Sequence, residues 1–93
     1  MKTYIAGPIT NNPHYEEHFL QGASEVVALQ LHPVLPIFLP HEHDKEWVSY
    51  MRECIACLVY CDAIYMLRNW MHSKGAKIEH DIARKLGLKI IYQ

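Results

Sequence analysis

No apolar run in the sequence approaches the roughly 20 residues that a membrane-crossing helix requires. Nor is there a surplus of charge of either sign. Nine Lys and Arg face ten Asp and Glu, a formal net charge of −1, which removes the basic footprint expected of a duplex-binding protein. The opening Met1-Lys2-Thr3-Tyr4-Ile5-Ala6-Gly7 has too short an apolar stretch for a signal peptide and runs straight into Pro8. Three cysteines, an odd number without a secretion signal, do not suggest a disulfide framework. Repeats, linkers and low-complexity segments are also missing. The expectation is a cytoplasmic protein with no membrane partner and no duplex nucleic-acid partner.

What is present suits one small globular unit. The chain has 93 residues, 51% hydrophobic and 20% charged, so residues 1–93 are expected to form a single domain. A domain of this size buries only roughly 60% of its unfolded surface. Self-association would offset that thin margin, so a homodimer or higher homo-oligomer is expected.

Thr3-Tyr4-Ile5-Ala6 is a β-prone run stopped by Gly7-Pro8, which reads as a buried strand ending in a tight loop. Asn11-Asn12-Pro13 supplies an N-cap candidate followed by Pro at the first helical position. Tyr15, Phe19, Ala23, Val26, Val27 and Leu31 then recur at helical spacing, with Gly22 among them. The proline-studded Pro33 to Pro40 allows at best an edge strand over Val34 to Phe38. After the polar His41-Glu42-His43-Asp44, a second helix carries Trp47, Val48, Met51, Ile55, Leu58 and Val59 as its inward stripe. Ala63 to Leu67 is the clearest central strand. A third helix begins after Ser73, shows Ile78, Ile82 and Leu86 on one face and stops at Gly87. Leu88 to Tyr92 is the last strand.

Alternation of β and α throughout predicts an α/β fold, a small doubly wound (Rossmann- or flavodoxin-like) parallel sheet of four strands with helices on both faces. The expected strand order is 2-1-3-4. Ligands of such sheets bind beyond the carboxyl ends of the strands, where the order reverses. That rule puts Gly7-Pro8-Ile9-Thr10 and the loop Arg68 to Gly75 on one rim.

On that rim, Ser73-Lys74-Gly75 opens a helix whose first N–H groups lack partners and whose dipole welcomes an anion. A hydroxyl at Ser73 and the missing side chain of Gly75 would let a phosphate come close, although Ser73 also serves as an ordinary N-cap. Glu79 lies one turn further on, at the border of the face marked by Ile78 and Ile82. It would aim a carboxylate along the helix, or it would simply favour the helix dipole. The seven histidines are not expected to form a metal site: His41 and His43 with Asp44 lack a fourth ligand, and His14 and His18 lack a third. His72 and His80 flank the anion loop. Cys54, Cys57 and Cys61 fall on one helical stripe and read as core. Trp47 fits the core stripe, whereas Trp70 in its polar loop would stack on a base or cap a pocket.

Tyr4-Ile5-Ala6-Gly7-Pro8, Cys61-Asp62-Ala63-Ile64-Tyr65, Trp70 and Ser73-x-Gly75-x-x-x-Glu79-His80 together resemble the nucleoside 2-deoxyribosyltransferase-like superfamily. The resemblance is to a small branch of it, related to the (deoxy)nucleoside 5′-monophosphate N-glycosidases, and spans essentially the whole chain. It implies cleavage or exchange at an N-glycosidic bond, with Glu79 as the nucleophile at the anomeric carbon and no cofactor or metal. It implies a small-molecule nucleotide as ligand, its 5′-phosphate held by Ser73 and Gly75 and its sugar and base lined by Tyr4 and Gly7; Pro8 on the rim and Trp70 in the polar loop are further candidate binding residues. Serine rather than aspartate at position 73 favours a phosphorylated ligand. Three departures stand out. Cys54 occupies the position where the relatives have a helper aspartate, Pro8 and Thr10 replace a serine and an arginine, and the relatives continue past the position of Gln93 into a fifth strand. Cys54 favours an alternative reading, a nucleotide-binding sensor or sponge with weak or no turnover. A third reading is an interaction protein that pairs through its last strand.

Overall fold

The computed structural model describes residues 1–38 and 46–93. Within them the order is β1 (Lys2–Ala6), α1 (Tyr15–Ala28), β2 (His32–Val34), α2 (Trp47–Leu58), β3 (Ala63–Met66), α3 (Lys74–Lys85) and β4 (Lys89–Tyr92), with short 3-10 turns at Pro36–Phe38 and Trp70–His72. The strands form a parallel sheet, as the alternation predicts, in the expected order β2-β1-β3-β4. Tyr4 is paired with Ile64, and Ile64 with Ile90.

Side chains alternate across the two central strands, so each supplies two cores. Ile5, Tyr65 and Leu67 meet Phe19 and Val26 of α1 on one face. Tyr4, Ala6, Ile64 and Met66 meet Cys54 and Leu58 of α2 and Ala76 and Ala83 of α3 on the other. This is the doubly wound α/β arrangement. Among the described residues no helix is long and apolar enough to cross a membrane.

Four local expectations need correction. The first helix starts at Tyr15 behind His14, not at Pro13. Asn12 builds the preceding turn instead: its Nδ2 donates to the Pro8 carbonyl at 3.0 Å and its Oδ1 accepts from the His14 N–H at 3.2 Å. The edge strand lies at His32–Val34 rather than Val34 to Phe38. Pro33 is tolerated because it sits on the sheet's edge, opposite Thr3, while Pro36, with no N–H for a ladder, opens a 3-10 turn. On α2 the buried stripe is Met51, Cys54 and Leu58, and Val48 and Val59 face outward. On α3 the buried residues are Ala76, Glu79 and Ala83. Ile78 and Ile82 are half-buried and Leu86 is 56% exposed, because the helix approaches the sheet on its small side chains. The expected loop at His41 to Asp44 lies outside the described residues.

Candidate functional site

The sequence of α3 sets the site. Ser73 takes an extended conformation and its Oγ accepts the Ala76 N–H at 3.1 Å, capping the helix. From that start, Gly75 lands against α2: a Cβ there would stand 3.0 Å from Met51 Sδ and 4.0 Å from the Trp47 ring. One turn further, Glu79 points inward beneath α2, at the centre of the buried face instead of at its border. Only 6% of it is exposed.

Between the carboxyl end of β1, the first turns of α2 and the first turn of α3 lies a cavity of about 580 Å³. Tyr4 and Glu79 lie together in it, and the Tyr4 hydroxyl donates to Glu79 Oε2. Burial pushes the Glu79 carboxyl up to about 7, against the opposing pull of the Tyr4 hydrogen bond. Burial, followed by the neighbouring Glu79, raises the Tyr4 phenol well above its ordinary range. Tyr4 therefore stays a donor while Glu79 changes charge near neutral pH. Cys54 lies in the same cavity, and its thiol is pushed up to about 11, chiefly by burial and with the Tyr4 and Tyr50 hydroxyls acting against it. It is a neutral group there and supplies no second carboxylate.

Tyr4, Gly7, Ser73, Gly75 and Glu79 are thus brought to one cavity. Pro8 and Trp70 are not among its lining residues. Pro8 borders a second hollow beside the first. Trp70 is half-buried, with its ring stacked on His80 at 4.3 Å and its carbonyl accepting the Ser73 N–H at 3.0 Å. The His80 imidazole meets the Tyr92 hydroxyl at 2.8 Å, outside the cavity. Among the described residues no group of three or more His, Cys, Asp or Glu is placed to hold a metal.

Trp47, Tyr50 and Met51 complete the wall opposite Glu79, together with Cys54. Trp47 is 37% exposed, at the cavity and not in the core, with Lys74 Nζ 4.5 Å from the centre of its ring. The sequence carries a signal for this wall: Trp47, Tyr50, Met51 and Cys54 fall at i, i+3, i+4 and i+7, one face of α2.

Comparison with known proteins agrees with the fold. Among solved structures, a 2-desoxiribosyltransferase from Leishmania mexicana superposes with a TM-score of 0.68 at 23% identity. The match covers 98% of this chain and 62% of the other, so the present chain spans less than two thirds of that protein's length. At this identity the fold alone is shared, and it is a deoxyribosyltransferase-like fold. No curated protein matches the sequence. Residues 1–92 match the family described as a domain of unknown function, DUF4406, and the chain belongs to that family.

Proposed function

We propose that the protein cleaves or exchanges the N-glycosidic bond of a nucleoside 5′-monophosphate, with Glu79 as nucleophile. The observation that carries this reading is a carboxyl group, buried and bonded to Tyr4, at the wall of a nucleotide-sized cavity. In the first step a Glu79 carboxylate oxygen forms a bond to the anomeric carbon. The base leaves with the electron pair of the glycosidic bond and takes up a proton. Water, or a second base, then displaces the glycosyl ester and restores the carboxylate. Tyr4 holds the attacking group in position, and Gly7 lines the cavity beside it.

Ser73 and Gly75 form the phosphate cradle, with the unpaired amides of the first turn of α3. The Ser73 Oγ accepts from its own helix, which leaves its proton to donate to a phosphate oxygen. Trp70 supports the turn that delivers Ser73, and Pro8 shapes the outer rim. The expected partners remain a small-molecule nucleotide and further copies of the chain, without duplex nucleic acid.

The test is incubation with a panel of ribo- and deoxyribonucleoside 5′-monophosphates, with free base followed by chromatography. Base release is expected to rise with pH to a plateau above about 7, because only ionised Glu79 attacks. Glu79→Gln should end base release while monophosphate binding persists; continued release would overturn the mechanism. Ser73→Asp keeps a capping oxygen but repels phosphate, so an unchanged monophosphate affinity would remove the cradle. The second reading, a nucleotide sensor without turnover, is favoured by the neutral thiol of Cys54. Recovery of intact bound ligand from the wild-type protein would establish it.

A further inference from the structure

A second hollow, of about 550 Å³, adjoins the Glu79 cavity and takes no part in the chemistry above. It opens where Pro8 follows β1 and Leu67-Arg68 follows β3, the two strands between which the sheet's order reverses. Thr10, Asn11 and His72 border both spaces. Its lining differs from the first in kind. Arg68, His18 and His72 are joined by the amides of Asn69 and Asn11, and among the described residues no Asp or Glu lines it. Glu25 Oε1 accepts from the Tyr65 hydroxyl at 2.7 Å and from Gln93 Nε2 at 2.9 Å, and these bonds, with a smaller contribution from the charge of Arg68, hold its carboxyl below the ordinary value. The Gln93 side chain also accepts the Arg68 N–H at 2.6 Å, which ties the strand end carrying Arg68 to α1.

The position of His72 links the two spaces. It directly precedes Ser73, the residue assigned to the first phosphate, and lines both hollows, so a group joined to that phosphate passes from one space into the other beside His72. We propose that the second hollow binds the distal phosphoryl group of a nucleoside 5′-pyrophosphate, with Arg68 as its principal donor. The ligand class of this protein is then a nucleotide with at least two linked phosphates. The inference rests on the phosphate cradle at Ser73 and extends it. Guanidinium matches the forked geometry of phosphate oxygens, and such charge-assisted bonds are the strong ones.

Calorimetric titration of the full chain with nucleoside, 5′-monophosphate and 5′-diphosphate forms of each common base tests this. The diphosphate should bind roughly tenfold or more tightly than the matching monophosphate. In Arg68→Gln that ratio should collapse to about one. A dinucleotide with a pyrophosphate bridge forms a separate arm: gain there equal to the diphosphate's would show that the bridge is what is read. Monophosphate binding with no further gain overturns the second subsite and leaves the cradle standing. A gain that survives Arg68→Gln overturns the assignment to this hollow. Binding of none of these compounds overturns both readings.

Discussion

Leu67 shows how two glycines serve one side chain. It is fully buried at the end of β3, beneath the loop after β1 and against α1. A methyl group added at Gly7 would lie 2.7 Å from Leu67 Cδ1 and 2.8 Å from its Cβ. The Cβ atom is fixed to the strand and has no rotamer by which to escape. At Gly22 the nearest atom is Leu67 Cδ2, at 2.6 Å, the far end of a side chain that can turn. The two positions should therefore respond differently. Gly7→Ala should destabilise the protein by about 1–3 kcal/mol, the usual range for overpacking. Gly22→Ala gains about 1 kcal/mol of helix propensity, which offsets much of the Leu67 adjustment, so its net effect should be small. Urea unfolding of both variants checks the order; equal losses would show that Leu67 does not discriminate between them. Gly7 also lines the cavity, so its requirement for no side chain is met by packing before any ligand is considered.

At the scale of elements, α3 carries the site and also shows what a sequence conceals. Its start was legible, since Ser73 is a strong capping residue and its Oγ does accept the Ala76 N–H. Ser73→Ala should cost about 1 kcal/mol, measured by thermal or urea unfolding, whereas Ser73→Asp should hold the fold. A loss confined to ligand affinity in the alanine variant would show that the cap adds nothing to the helix. Which way α3 faces was not legible. Hydrophobic spacing picks Ile78, Ile82 and Leu86, yet a helix pressed close to a sheet makes its nearest contacts with alanines. Ala76 and Ala83 take that role, and the residue between them in the stripe, Glu79, is carried inward with them. The same limit applies to β2. Proline argues correctly for an edge strand, but ladder capacity belongs to the pairing and not to the segment, so Pro33 fits while Pro36 ends the run. The parallel sheet, by contrast, follows from an alternation that runs along the whole chain, and crossover handedness narrows the strand order without fixing it.

For the whole molecule, the buried carboxyl makes stability depend on pH. Glu79 is raised in the folded protein to about 7 from an ordinary 4.5. Below pH 4.5 it is protonated in both states and adds no penalty. Between about 4.5 and 7 the unfolded chain releases this proton while the folded chain keeps it, so stability falls as pH rises. Above 7 both states are ionised and the loss is complete, at roughly 3 kcal/mol for a shift of this size. Other groups act in the opposite direction. Glu25, bonded to Tyr65 and Gln93, is lowered in the folded protein and gains stability with rising pH. The wild-type profile is therefore a sum, and comparison with Glu79→Gln isolates the one term. Glutamine preserves the shape and an acceptor for the Tyr4 hydroxyl but has no charge to bury. The two proteins should melt together near pH 4. By pH 8 the variant should be the more stable by up to roughly 3 kcal/mol, a difference of up to about 12–24 °C in Tm for a chain of this length. A constant gap across that range would place the cost of Glu79 in its packing, whereas a gap that opens through neutrality places it in the ionised carboxylate. That second outcome is what the proposed nucleophile, held away from water, requires: the fold would give up stability in the pH range where the carboxyl ionises.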